Sequence, residues 1–165
     1  MIMLKTFERT PNLAELKVSY RRGQGRGRNS NQLAMPFVVS NPVSAEKYLR
    51  TLWDKDTMEL REEFVLVCVN TVNEVLGWVK LATGAVDATL VDPRLVFGVA
   101  LQVAAAGILV AHNHPSGQAW PSEPDRVMTQ KLKDGAELLR LNFLDHIILG
   151  RDAAFSFARD GLFND

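Results

Sequence analysis

The hydrophobic pattern changes period several times along the chain, and each change predicts an element. Ala14 to Tyr20 (AELKVSY) alternates well enough for a short edge strand. Residues 21–32, RRGQGRGRNSNQ, carry four arginines, three glycines and no apolar side chain, so they bury nothing and read as a loop or linker. Asn41-Pro42 supplies an N-cap and a first-position proline. The helix that follows should run through Trp53, with Tyr48, Leu49, Leu52 and Trp53 on its apolar face. Glu63 to Val69 (EFVLVCV) is an almost continuous β-favouring run, the mark of a strand covered on both faces. A polar turn at Asn70–Asn73 separates it from Val75 to Ala82, which predicts a hairpin.

Asp92-Pro93 repeats the cap-plus-proline signal and opens a helix through Val96, Val99, Ala100, Val103 and Ala104, which Gly107 should end. Ile108 to Ala111 reads as a short buried strand running directly into HNHPSG. A helix from Ser122 to Leu139, a strand from Phe143 to Leu149 and a last short strand around Phe155 to Ala158 complete the pattern. Strands and helices interleave without an internal repeat, so the fold class is α/β (α+β), a mixed β-sheet flanked by helices. Residues 1–35 read as an N-terminal strand plus an Arg/Gly-rich flexible segment, and residues 36–165 as one domain.

Composition narrows the setting without naming a chemistry. The 165 residues suffice for one core, and 47% hydrophobic with 23% charged residues is ordinary globular usage. The longest apolar stretch, Val96 to Ala111, is broken by Gln102 and two glycines, too short for the roughly 20 residues of a membrane span. The N-terminus lacks the apolar centre of a secretion signal, and the single Cys68 excludes an internal disulfide framework, so a cytoplasmic protein is expected. Net charge is zero but unevenly placed, because residues 1–35 hold seven basic against two acidic side chains. Arg21, Arg22, Arg26 and Arg28 within that arm either contact nucleic acid through phosphate charge or form a solvated connector, and no aromatic neighbour offers a base a stacking surface.

Two of the three histidines stand at 112 and 114. On a strand, positions i and i+2 face the same side, so both imidazoles can serve one tetrahedral zinc. Pro115-Ser116-Gly117 turns the chain, and Asp125 follows in the first turn of a helix, where its carboxylate can supply a third ligand. Two His and one Asp leave a fourth position for water, the arrangement of a catalytic zinc site. Ser122-x-x-Asp125 also reads as a capping box, and one residue can cap and ligate through different atoms.

His112-Asn113-His114-Pro115, six further residues, then Ser122-Glu123-Pro124-Asp125 resembles the JAMM (JAB/MPN) signature, and the fuller HNHPSG string resembles its RadC branch. Arg61-Glu62-Glu63-Phe64, Ala82-Thr83-Gly84, Val91-Asp92-Pro93-Arg94 and Leu144-Asp145-His146-Ile147 agree with it, so the similarity spans residues 40–163. The resemblance implies a JAB/MPN (cytidine-deaminase-like) architecture and a Zn2+ site of His112, His114 and Asp125. It further implies a general base at Glu62 and an oxyanion-stabilising serine at Ser122. Glu63, on the opposite face, is expected to be a solvated acid. The implied reaction is hydrolysis of a peptide or isopeptide bond in a protein or peptide substrate, with the metal activating water and Glu62 moving its proton.

His146 reads as a packed core residue or as support for a zinc ligand, a role open to Asp145 as well. Cys68 reads as core, Trp53 and Trp78 as core or subunit contacts (a homodimer is an open option), and Trp120 as a wall of a substrate groove or a packing residue. The competing function is a DNA-repair or recombination accessory protein binding nucleic acid through its basic arm, since RadC relatives often bear a repair label. Residues 1–35 are too few and too glycine-rich for the helix-hairpin-helix module that such relatives carry. A ββα nuclease would spread its His, Asn and His over some thirty residues, and a metallo-β-lactamase relative would continue H-x-H-x-D-H. Neither pattern is met. A scaffold with a degenerate site ranks last, because every ligand type is present.

Overall fold

The computed structural model describes residues 37–84 and 91–163. The strand expected over 14–20, the Arg-rich segment with Arg21, Arg22, Arg26 and Arg28, and hence the division at residue 35 lie outside the described residues. The order is α1 (Pro42–Arg50), β1 (Glu63–Val69), β2 (Val75–Thr83), α2 (Pro93–Gln102), β3 (Gly107–Asn113), α3 (Glu123–Leu138), β4 (Asn142–Leu149) and β5 (Ala154–Ser156). The strands form one mixed sheet in the order β2-β1-β3-β4-β5. Among the described residues only β3 and β4 pair in parallel, and α3 is the crossover such a pair requires. Among the described residues no helix is long and apolar enough to cross a membrane.

Alternation along β1 divides the interior into two layers. Phe64, Leu66 and Cys68 pack with Val96 and Ala100 of α2 and with Met128 and Leu132 of α3. Val65, Val67 and Val69 pack with Ala45 and Leu49 of α1 and with Trp53. The sheet is therefore sandwiched, with α1 on one face and α2 and α3 on the other, which is why β1 and β3 are buried along their whole length.

The predicted helix starts are met. Asn41 accepts from the Ser44 amide, Asp92 from the Arg94 amide and Ser122 from the Asp125 amide. Helix ends differ. The first helix closes at Thr51, and Leu52 and Trp53 pack against the same layer from the following turn. The second ends at Gln102 and reverses through Ala104 in the left-handed region at φ 51°, so Gly107 does not end it. Gly107 is instead the first residue of β3, where a Cβ would lie 2.8 Å from Asn142 O. That glycine answers the close approach of two parallel strands, a demand that reads in sequence like a helix stop. The third strand is also longer than expected, reaching Asn113, so His112 lies within it. Trp53 is buried, whereas Trp78 on the edge strand β2 is half exposed.

Candidate metal centre

Strand β3 presents His112 to the α3 face of the sheet, paired across β1 with Phe64 and fully buried. One residue past the strand, the His114 amide donates to Leu149 O at 2.9 Å. The turn that follows passes through Gly117 at φ +81° and brings Gln118 O to 3.0 Å from His114 Nδ1. The chain then enters α3, where Ser122 and Asp125 form a reciprocal capping box. The cap fixes the helix start at the place where Asp125 meets the histidines. Asp125 Oδ1 lies 3.1 Å from His112 Nε2, Asp125 Oδ2 lies 3.5 Å from His114 Nε2, and the two Nε2 atoms are 3.0 Å apart.

These distances test whether a metal suits the site. Gln118 O can only accept, so His114 Nδ1 carries a proton and a neutral His114 presents a bare lone pair at Nε2. Two imidazole nitrogens and a carboxylate thus converge, and among the described residues no lysine or arginine pairs with Asp125 to offset the charge. Nitrogen and carboxylate donors gathered this closely fit a divalent metal cation. Glu62 closes the constellation, with Oε1 3.8 Å from His112 Nε2. One ligand atom each from Glu62, His112 and His114 lies within 4.8 Å of the others, a group able to hold a metal ion.

The electrostatics suit the arrangement. Burial pushes the Glu62 carboxyl up, and Asp125 adds to this while His114 opposes it. A carboxyl raised in this way is a better proton carrier near neutrality. Burial alone would raise Asp125 too, but hydrogen bonding to His112, His114 and Ser122 holds it well below the usual carboxylate range. Burial lowers His112. For His114 the same burial is outweighed, chiefly by Asp125, and its pKa is raised.

The sequence profile of the RadC-like JAB domain matches residues 39–162. The chain belongs to the RadC-like JAB domain family. It is 41% identical over 128 residues to a UPF0758 protein of Thermotoga maritima, covering 77% of this chain and 55% of that one. A UPF0758 protein of Flavobacterium johnsoniae is 39% identical over 80% of this chain and 58% of its own length. One from Vibrio cholerae is 38% identical over 80% of this chain and 82% of its own. The chain thus spans about half the length of the first two of these relatives.

In this RadC-like domain the two adjacent glutamates part company. Glu62 faces the histidines, whereas Glu63 is not the solvated acid expected at the strand entry. Glu63 is buried, bound by Arg61 Nε at 3.0 Å and by Lys80 Nζ at 2.6 Å. A register shift between Phe64 and Val65 sets Lys80 opposite Val65, on the same face as Glu63, and β1–β2 pairing then encloses the ion pair. Ser122 Oγ donates to Asp125 Oδ2 at 2.5 Å. His146 is both core and support, being fully buried with Nε2 2.9 Å from His112 Nδ1. Asp145 turns the other way, accepting from Ser156 Oγ and the Ala158 amide. Trp120 is exposed and meets Phe155 edge-on at 5.3 Å.

Two contributors escaped the sequence reading. Asn113 lies between the two histidines but faces the α1 side, where Oδ1 accepts from Trp53 Nε1 and the Glu63 amide while Nδ2 donates to Met58 O and Arg61 O. It ties the segment carrying Glu62 to the strand carrying His112. Thr129 stands one helical turn after Asp125 and contacts His146. The spacing from Asp125 to Thr129 was the available signal, because i and i+4 share a helix face.

Proposed function

We propose that this RadC-like JAB domain is a zinc-dependent hydrolase that cleaves a peptide or isopeptide bond, with His112, His114 and Asp125 holding the metal. The observation that carries this reading is the convergence of His112 Nε2, His114 Nε2 and the Asp125 carboxylate within 3.0–3.5 Å, with Glu62 at 3.8 Å. A bound zinc supplies Lewis acidity and lowers the pKa of water to roughly 7. Glu62, raised by burial, takes the proton of the attacking water and returns it to the leaving amine. Ser122 holds Asp125 through its hydroxyl, and once the Asp125 charge is engaged by a cation that hydroxyl is free to turn toward the developing oxyanion. Buried Phe64, stacked on His112, walls the site from solvent on the sheet side. The amide class of substrate rests on the family resemblance.

Elemental mass spectrometry of the purified protein is the test. About one zinc per chain in the wild type, with little in His112→Ala and Asp125→Ala, supports the assignment. Absence of zinc after reconstitution would overturn it and leave Ser122 and Asp125 as a helix cap.

A further inference from the structure

We infer that Thr129 and His146 form a buried relay that fixes the proton of His112 on Nδ1, so that Nε2 faces the metal as a lone pair. The inference rests on the metal assignment proposed above and is argued from hydrogen-bond geometry. Thr129 Oγ1 lies 2.6 Å from Asp125 O, and two oxygens that close need a hydrogen between them. A carbonyl only accepts, so the threonine hydrogen is committed to Asp125 O. Thr129 Oγ1 also lies 2.6 Å from His146 Nδ1, and with its own hydrogen used it can only accept there. His146 Nδ1 therefore carries a proton.

His146 is fully buried, stacked on Phe157 with the Phe64 ring also against it, and no carboxylate hydrogen-bonds to it among the described residues. A second proton would leave a cation in apolar surroundings, so the ring is neutral and its Nε2 is bare. That bare nitrogen stands 2.9 Å from His112 Nδ1, which must supply the hydrogen. The one proton of a neutral His112 is thus spent away from the site. Asp125 Oδ1 at 3.1 Å and the bare His114 Nε2 at 3.0 Å both act the other way and would draw that proton onto His112 Nε2, a demand that a cation among these atoms removes. The relay opposes both pulls. The chain starts at the backbone of Asp125 and ends at His112, so one ring of contacts joins two of the proposed ligands and sets the proton state of one of them.

Thr129 and His146 are positioning residues, and they can be tested without a substrate. Zinc affinity is measured by competition with a fluorescent chelator in wild type, His146→Gln, His146→Leu, Thr129→Ser and Thr129→Val. In parallel, 15N-histidine NMR of the metal-free proteins at mildly alkaline pH reads which nitrogen of each ring is protonated. Glutamine can still accept from His112 Nδ1, and serine keeps the hydroxyl, so both should bind zinc within a few-fold of wild type. Leucine and valine should weaken binding by about 10–100-fold, the usual scale for removing a partner of a metal-ligating histidine. Thr129→Val should also move the metal-free His112 signal from the Nδ1–H to the Nε2–H form. Folded Leu and Val variants that bind zinc within twofold of wild type, or a wild-type His112 already protonated at Nε2, would overturn the relay. Should the wild type take up no zinc at all, the proposed function fails, while the metal-free spectra still decide where the His112 proton resides.

Discussion

Asn113→Leu isolates what the buried amide contributes, because it keeps volume while removing all four hydrogen bonds. Two of those bonds, from Trp53 Nε1 at 2.9 Å and from the Glu63 amide at 2.8 Å, are buried. The other two, to Met58 O and Arg61 O, lie in a partly buried turn, where the freed carbonyls can find water. Only the two orphaned donors therefore incur the full penalty of about 1–3 kcal/mol each. Their sum centres on about 4 kcal/mol, a large part of the 5–15 kcal/mol typical of a domain. For a chain of this size the loss corresponds to roughly 8–16 °C in Tm. Urea unfolding followed by far-UV circular dichroism measures it, with Trp53→Phe as the comparison. That variant removes one donor and leaves no orphan on the indole side, so it should cost only about 1–1.5 kcal/mol. Hydrogen exchange adds a local readout, since the Glu63 amide should lose protection in Asn113→Leu more than amides at the centre of β1 do. The Asn113 side chain faces away from the histidines and takes no part in the backbone pairing of β3, so zinc content should persist while the proposed hydrolysis falls as Glu62 loses its anchor. A stability loss below about 1 kcal/mol, or no difference from Trp53→Phe, would show that the amide is not what ties the Glu62 segment to β3.

Much of this arrangement was legible in the sequence, for a physical reason. Cap-plus-proline signals act locally, so Asn41, Asp92 and Ser122 announced three helices where the structure has them. Strand burial is equally local, and Glu63–Val69 begins and ends where its apolar run does. The His-x-His spacing states a period-two geometry, which brings the Nε2 atoms of His112 and His114 to 3.0 Å. What failed to show depends on partners distant in sequence. Gly107 looks like a helix stop until Asn142 is laid beside it. Glu63 looks solvated until Lys80 crosses from the neighbouring strand. Asn113 is the middle letter of a motif read for its histidines, and its role emerges only when Trp53 and the Glu63 amide, 60 and 50 residues away, close around it. Helix ends were poorly marked for a related reason, since Ala104 adopts the left-handed conformation that glycine was expected to supply.

Two further outcomes follow from close contacts and from charge. Gly150→Ala places a methyl group against Gly117 O and within 3.3 Å of the Ala119 amide. It should cost about 1–3 kcal/mol by overpacking and weaken zinc binding through the Gln118 carbonyl that orients His114, as chelator competition would read. Gly98→Ala, which meets nothing within 4 Å in α2, should leave both unchanged or raise stability by up to about 1 kcal/mol. Asp145 supplies the pH dependence. Burial raises its carboxyl from 3.8 to about 6, with the Ser156 hydroxyl and the Ala158 amide only partly opposing. The folded state therefore holds this proton more tightly than the unfolded chain does. The associated stability is fully present below pH 3.8 and is lost as pH rises through about 6, on the order of 3 kcal/mol in all. An asparagine side chain cannot ionise, so the stability of wild type relative to Asp145→Asn should decline across this window in urea unfolding at a series of pH values. A difference that stays flat would mean that Asp145 is ionised throughout, with Ser156 and Ala158 compensating its burial in full.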